Sequence, residues 1–135
     1  MKKILILVMV LVVQTTFAQV TKNLGDFNTV KVFDKLNVKL IAASENKAII
    51  TGDRGGEVEF VNKNGELKIR MPFPKLLLGD AVSIKLYFKT IDGIAASEGS
   101  IISSDAVFSG TILDLNVREG AQISLHLEGT KKVNV

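Results

Sequence analysis

The chain contains no cysteine and no tryptophan, and only two prolines, one tyrosine and one histidine. Without cysteine there is no disulfide framework, no thiolate metal site and no thiol nucleophile. Seven phenylalanines and the single tyrosine leave little material for stacking bases or for a tryptophan-built carbohydrate platform. Charge of one sign is also lacking: 17 Lys+Arg stand against 14 Asp+Glu, with no concentrated basic patch to recommend nucleic acid as a partner. Lys131-Lys132 is too short to count. The longest purely apolar run, Ile4 to Val13, has ten residues and cannot span a bilayer. What is present is 47% apolar residues in 135, enough for one modest aliphatic domain.

The N-terminus separates from the rest. Met1-Lys2-Lys3, the apolar run and the exit Gln14-Thr15-Thr16-Phe17-Ala18 follow the order of a secretory signal peptide, with small residues at Thr16 and Ala18. The expected organisation is a leader over residues 1–18 and a mature domain over residues 19–135. No cysteine near the exit offers a site for lipid attachment. Lys2 and Lys3 leave with the leader, so 15 basic groups face 14 acidic ones in the mature chain, which is close to neutral.

From Gln19 onward, apolar and polar residues alternate at the strand period, which predicts an all-β chain. Leu36, Val38 and Leu40 oppose Asn37 and Lys39. Val58 and Phe60 oppose Glu57 and Glu59, and Leu67, Ile69 and Met71 oppose Lys68 and Arg70. The same holds for Val82, Ile84, Leu86 and Phe88, then for Leu113, Leu115 and Val117, and finally for Ile123, Leu125 and Leu127. Each strand therefore has one dry and one wet face. Asn64-Gly65 between two alternating runs predicts an antiparallel hairpin of Glu57–Asn62 with Glu66–Met71. Pro72 to Gly79 breaks the alternation and reads as a loop. Its Phe73 and Leu76 to Leu78 either cover the end of the core or form an exposed contact patch.

Beyond about Lys89 the strands are expected to shorten and the sequence repeats. Residues 94–103 lie over residues 115–124 at an offset of 21, with Glu98-Gly99 over Glu119-Gly120 and Ile102-Ser103 over Ile123-Ser124. Downstream, Phe108-Ser109-Gly110-Thr111 matches Leu127-Glu128-Gly129-Thr130 at an offset of 19, which reads as a drift in turn length. A repeat of this size with glycine turns cannot bury its own apolar face, so neighbouring coils must stack. The pattern predicts a β-helix whose inward Ile, Leu and Val form ladders at about 4.8 Å, with Gly99 and Gly120 at corners of positive φ.

The run Ile84-Lys85-Leu86-Tyr87-Phe88, continuing through Ile91-Asp92-Gly93-Ile94 into Ala96-Ser97-Glu98-Gly99-Ser100, resembles the head GIN domain of the putative auto-transporter adhesin family. The resemblance runs from about Phe27 to Val135. Where that family shows a Ser-Gly-Gly-Ser-like corner repeated one coil later, this chain has Glu98 and Glu119 in place of the first glycine. The resemblance implies a right-handed parallel β-helix-like solenoid, here with an antiparallel hairpin in its N-terminal half. It also implies export to the periplasm, outer-membrane surface or extracellular space, as is common for the family among Bacteroidota, and a role in adhesion to an envelope glycan or a surface protein. It brings no catalytic residues, and it implies further coils, so that residues 19–135 are expected to be a truncated domain. An open last coil would then invite self-association.

The residues themselves offer few alternatives. Glu98 and Glu119, on equivalent corners, would stand roughly 5 Å apart, near the separation of a retaining glycosidase pair. Small and charged neighbours predict high solvent access and no raised pKa there, so a carbohydrate-active enzyme is the runner-up, beside a self-assembling scaffold. His126 falls on the outward face with Ser124 and Glu128, and no Gly-x-Ser-x-Gly elbow exists. One histidine and dispersed aspartates, Asp26, Asp53, Asp80, Asp92, Asp105 and Asp114, do not make a metal site. Gly52 to Gly56 lacks the helix a phosphate loop needs. The expectation is thus no catalytic, cofactor or metal residue, and an outward polar ladder of Ser83, Lys85, Tyr87, Asp114, Asn116, Ser124 and His126 available to a glycan.

Overall fold

In a computed structural model, residues 19–52, 55–72, 82–108, 112–128 and 132–134 are described. The leader, Asp53-Arg54, and the loop from Phe73 to Gly79 lie outside them. The chain is all-β, with two mixed six-stranded sheets, neither of them closed. The strands are β1 (Gln19–Asn23), β2 (Thr29–Val32), β3 (Asn37–Ala42), β4 (Lys47–Thr51), β5 (Glu59–Lys63), β6 (Glu66–Arg70), β7 (Ser83–Phe88), β8 (Gly93–Ala96), β9 (Ile101–Phe108), β10 (Ile112–Val117), β11 (Gln122–Leu127) and β12 (Lys132–Asn134). One sheet runs β1-β4-β7-β3-β9-β11 and the other β12-β10-β8-β2-β6-β5. Hereafter they are the first and second sheet.

Parallel pairing dominates the middle and the C-terminal end. β6, β2, β8, β10 and β12 are parallel neighbours in the second sheet, and β7, β3, β9 and β11 in the first. Each level crosses from the second sheet to the first: β2 into β3, β8 into β9, β10 into β11. The order of levels is not the order of the chain. β2 lies between β6 and β8, so the chain lays down β2–β3, returns to build β6 and β7 on one side, then passes to β8 on the other. Antiparallel strands cover that first-built side: β4 pairs β7, β1 pairs β4, and β5 pairs β6 through the expected Asn64-Gly65 turn, both of whose residues have positive φ.

The core consists of ladders, as the alternation predicts. Leu67, Val30 and Ile94 are stacked in register in the second sheet, and Ile50, Ile84, Val38 and Ile102 in the first; all are at most 2% exposed. Burial falls at the next level, where β12 pairs only with Ile112 to Asp114 and β11 is the outer strand of the first sheet: Leu115 and Ile123 are half-buried and Val117 is 44% exposed. Phe88 and Phe108 stack at 5.6 Å between ring centres.

The repeat offsets are visible in the register, with one correction. Asp114 to Val117 pair with Gly93 to Ala96, and Gln122 to Ser124 with Ile101 to Ser103, all at 21; His126 pairs with Val107 and Leu127 with Phe108 at 19. The change arises inside β9, not in a turn. Ser104, Asp105 and Ala106 oppose Leu125 alone in a bulge. Ser104 Oγ closes it by donating to the Leu40 carbonyl at 2.7 Å and accepting from Ala106 N at 3.1 Å. Nor do strands shorten after Lys89, since β9 is the longest of those described, with eight residues.

Candidate functional site

Two places gather chemistry: the corner where the levels cross between sheets, and the outward face of the second sheet beside it.

Three corners stack. In Phe33-Asp34-Lys35-Leu36, Ser97-Glu98-Gly99-Ser100 and Arg118-Glu119-Gly120-Ala121 the fourth N–H donates to the first carbonyl, at 3.3, 3.1 and 3.1 Å. Both central residues of each have positive φ, from 54° to 75°, the signature of a type I′ turn. Neighbouring corners are tied by Lys35 N donating to the Glu98 carbonyl and Gly99 N to the Glu119 carbonyl, both at 3.0 Å. The positive φ expected at Gly99 and Gly120 is present, and it extends to Glu98 and Glu119, which explains why a glycine pair suits this position in the family the sequence resembles. Ser100 is buried and locks its corner: its Oγ donates to the Val32 carbonyl and accepts from Ser97 N.

The second position of each corner is an acid, so Asp34, Glu98 and Glu119 form a column. Asp34 is 2% exposed and its Oδ2 accepts Met71 N at 2.9 Å. Glu119 is exposed, as expected, but Glu98 is half-buried, and here the expectation of free solvent access fails. The Glu98 carboxyl is raised from its ordinary 4.5 to about 7 by a hydrogen bond to the Asp34 side chain, then by burial, then by the charges of Asp34 and Glu119, while a bond from the Asp34 backbone opposes the rise. No local pattern signals this, because Asp34 lies 64 residues upstream, in a corner with no glycine. A shallow depression of about 230 Å³ beside Glu98 is lined also by Phe33, Asp34, Lys68 and Arg70. At this corner Glu98 can hold a proton and donate it in a hydrogen bond to Asp34.

The larger feature is a trough of about 420 Å³ on the outward face of the second sheet. Gly93, Ala95 and Ser97, along β8 and just beyond it, make its floor. Thr29, Lys31 and Phe33 rise on one bank and Asp114, Asn116 and Arg118 on the other. The register sets Thr29, Gly93 and Asp114 in one row and Lys31, Ala95 and Asn116 in the next. Three successive small residues on a solvated face create the hollow, because flanking side chains stand above them. Gly93 has a further reason to be glycine: a Cβ there would meet Thr29 Oγ1 at 3.1 Å and Cγ2 at 3.2 Å. Lys31 bridges to Glu66 at 3.4 Å, and Arg118 Nε donates to Asn116 Oδ1 at 3.0 Å.

The structure divides the predicted polar ladder. Asp114 and Asn116 line the trough, whereas Ser83, Lys85, Tyr87, Ser124 and His126 belong to the outward face of the first sheet, where His126 is exposed opposite Val107. There Lys39 and Lys85 are direct neighbours, and Lys39 bridges to Asp105 at 3.0 Å. Among the described residues no three His, Asp or Glu side chains gather to hold a metal ion, and no helix is long and apolar enough to cross a membrane. Gly55–Glu57 is a single 3₁₀ turn.

These features define an all-β stacked-corner domain with an open ligand-sized face. Residues 26–135 match the family described as "Putative auto-transporter adhesin, head GIN domain", and the chain belongs to it. Among solved structures, similar folds include a "putative adhesin" of Bacteroides fragilis (TM-score 0.67, 15% identity, 85% of this chain and 56% of that one) and another of Parabacteroides merdae (0.64, 15%, 86% and 54%). A "putative lipid binding protein" of Parabacteroides distasonis is also similar (0.63, 10%, 85% and 60%). The chain spans little more than half the length of these proteins. No curated protein matches it.

Proposed function

We propose that the chain, once its leader of residues 1–18 is removed, acts outside the cytoplasm as a non-enzymatic binding module of the cell envelope. Its place is the periplasm, the outer-membrane surface or the extracellular space. Residues 19–135 form a β-helix-like domain; the parallel levels and the stacked I′ corners support that reading, as does the adhesin family to which the chain belongs. The partner is an envelope glycan or a surface protein. The observation that carries the binding role is the trough, an open hollow of about 420 Å³ on the outward face of the second sheet, in the size range of ligand sites, about 300–1,000 Å³.

The test is saturable binding of the purified exported chain to intact cells of the source organism and to their isolated surface polysaccharide and protein fractions. The reading expects binding with no release of reducing ends over hours. Release of new reducing ends would favour a carbohydrate-active enzyme at the Glu98 column instead, and absence of binding to every fraction would defeat the module. Light scattering on the same sample checks self-association through the outer edge of β11, at the end of the first sheet. An increase in mass with concentration supports a scaffold.

A further inference from the structure

We infer that the trough on the second sheet is a subsite for an acidic glycan, with a uronate-type carboxylate held at its corner end. This rests on the binding-module reading and gives it a ligand class.

The argument starts from the dimensions. The floor from Gly93 to Ser97 is about 13 Å long at about 3.3 Å per residue, and the banks, two strand spacings apart, are separated by about 9.6 Å. A linear chain of sugar rings lying along the strands fits such a channel. An added β-strand does not, because the channel is a sheet face whose backbone groups are already paired on both sides.

The two ends differ chemically. At the corner end the Phe33 ring stands on one bank and the Arg118 guanidinium on the other, with Ser97 between them. A pyranose ring over Ser97 would present its apolar C–H face to Phe33 and a ring carboxylate to Arg118. Among the described residues Arg118 spends only Nε, on Asn116 Oδ1. That bond fixes the plane of the guanidinium, and among the described residues its Nη groups make no other hydrogen bond, which leaves them to meet a carboxylate. Lys31, one row along, adds a second cation, shared with Glu66 at 3.4 Å. The far row, Thr29, Gly93 and Asp114, suits hydroxyl groups and disfavours a second carboxylate beside Asp114. Charge and shape therefore orient the ligand as well as select it.

The test is an amide NMR titration of the exported chain with oligogalacturonate and, in parallel, with a neutral galactose oligomer of equal length. The inference expects the acidic oligomer to shift Gly93, Ala95, Ser97 and Arg118 and to bind more weakly as salt is raised. Arg118→Gln should weaken binding about tenfold, and Ala95→Leu, which fills the hollow from a solvated position, should abolish it; unshifted core amides report that both variants are folded. Equal binding of the neutral oligomer, or indifference to Arg118→Gln, overturns the acidic class. Shifts confined to the first sheet overturn the site. A complete lack of response to oligogalacturonate overturns the ligand assignment, and the module reading then stands or falls separately on binding to the cell-surface fractions.

Discussion

The column Asp34–Glu98–Glu119 makes folding stability depend on pH in an unusual direction. Most carboxylates in folded proteins are lowered by their partners and lose stability in acid. Glu98 is raised, from 4.5 to about 7, led by its hydrogen bond to Asp34. Between those values the folded chain holds a proton that the unfolded chain has released, so the contribution is complete below pH 4.5 and is lost as pH rises through about 7. The full difference is at most ~3 kcal/mol; with Glu98 only half-buried and screened by solvent, about 1 kcal/mol is expected, or about 4 °C in melting temperature for a domain of this size. Glu98→Gln is the perturbation, because the amide can donate to Asp34 as the protonated acid does and cannot ionise. Thermal melts of both chains from pH 5 to pH 8 should coincide at the acid end and separate toward the alkaline end, with the variant more stable. Parallel profiles, or a variant that gains its advantage at pH 5, would refute the shared-proton account.

Other consequences are simpler to state. Asn46, 8% exposed, donates to the Gly25 carbonyl and Asp26 Oδ1 and accepts Lys89 N at 2.9 Å; Asn46→Ala should cost about 2 kcal/mol in urea unfolding by stranding these groups. Ser100→Ala should cost about 1 kcal/mol, measured the same way, since Val32 O and Ser97 N retain each other at 3.0 Å. Glu119→Gly should stabilise by a few tenths to about 1 kcal/mol by relieving a positive φ of 54° at an exposed position, readable as a rise in melting temperature. Asp105→Ala breaks only an exposed bridge to Lys39 and should leave the melt within about 0.5 kcal/mol of wild type.

What the sequence disclosed and what it withheld follow from the range of each interaction. The dry faces were legible because a strand's side chains alternate regardless of its partner, and the 21-residue offset because consecutive levels place matching residues in register. The 19-residue offset was equally legible but misplaced: a bulge and a longer turn leave the same trace in spacing, and only the pairing of His126 with Val107 separates them. The corner at Asp34-Lys35 was missed because it has no glycine. Its signals were the Thr29–Val32 and Asn37–Leu40 alternation on either side and an acid at the second corner position, as in the later two. The position of β6 and β7 beside β2 and β3, against chain order, has no local signature.

The trough was hidden for a related reason, and the reason bears on function. Inward positions of β2, β8 and β10 are constrained by the ladder, so their apolar pattern announces the fold. Outward positions are constrained only where they touch one another, and the requirement at Gly93, clearance for Thr29, involves residues 64 apart in sequence. Ala95 and Ser97, with Gly93, keep three consecutive outward places small while larger side chains, Lys31, Phe33 and Arg118 among them, stand on the banks. A surface shaped by solubility alone would fill such places with lysine or glutamate, as β6 does with Glu66, Lys68 and Arg70. The hollow is therefore a feature of the outward face and not of the core ladder, and it ends at Ser97, beside Glu98, whose carboxyl the Asp34 side chain holds above its ordinary value.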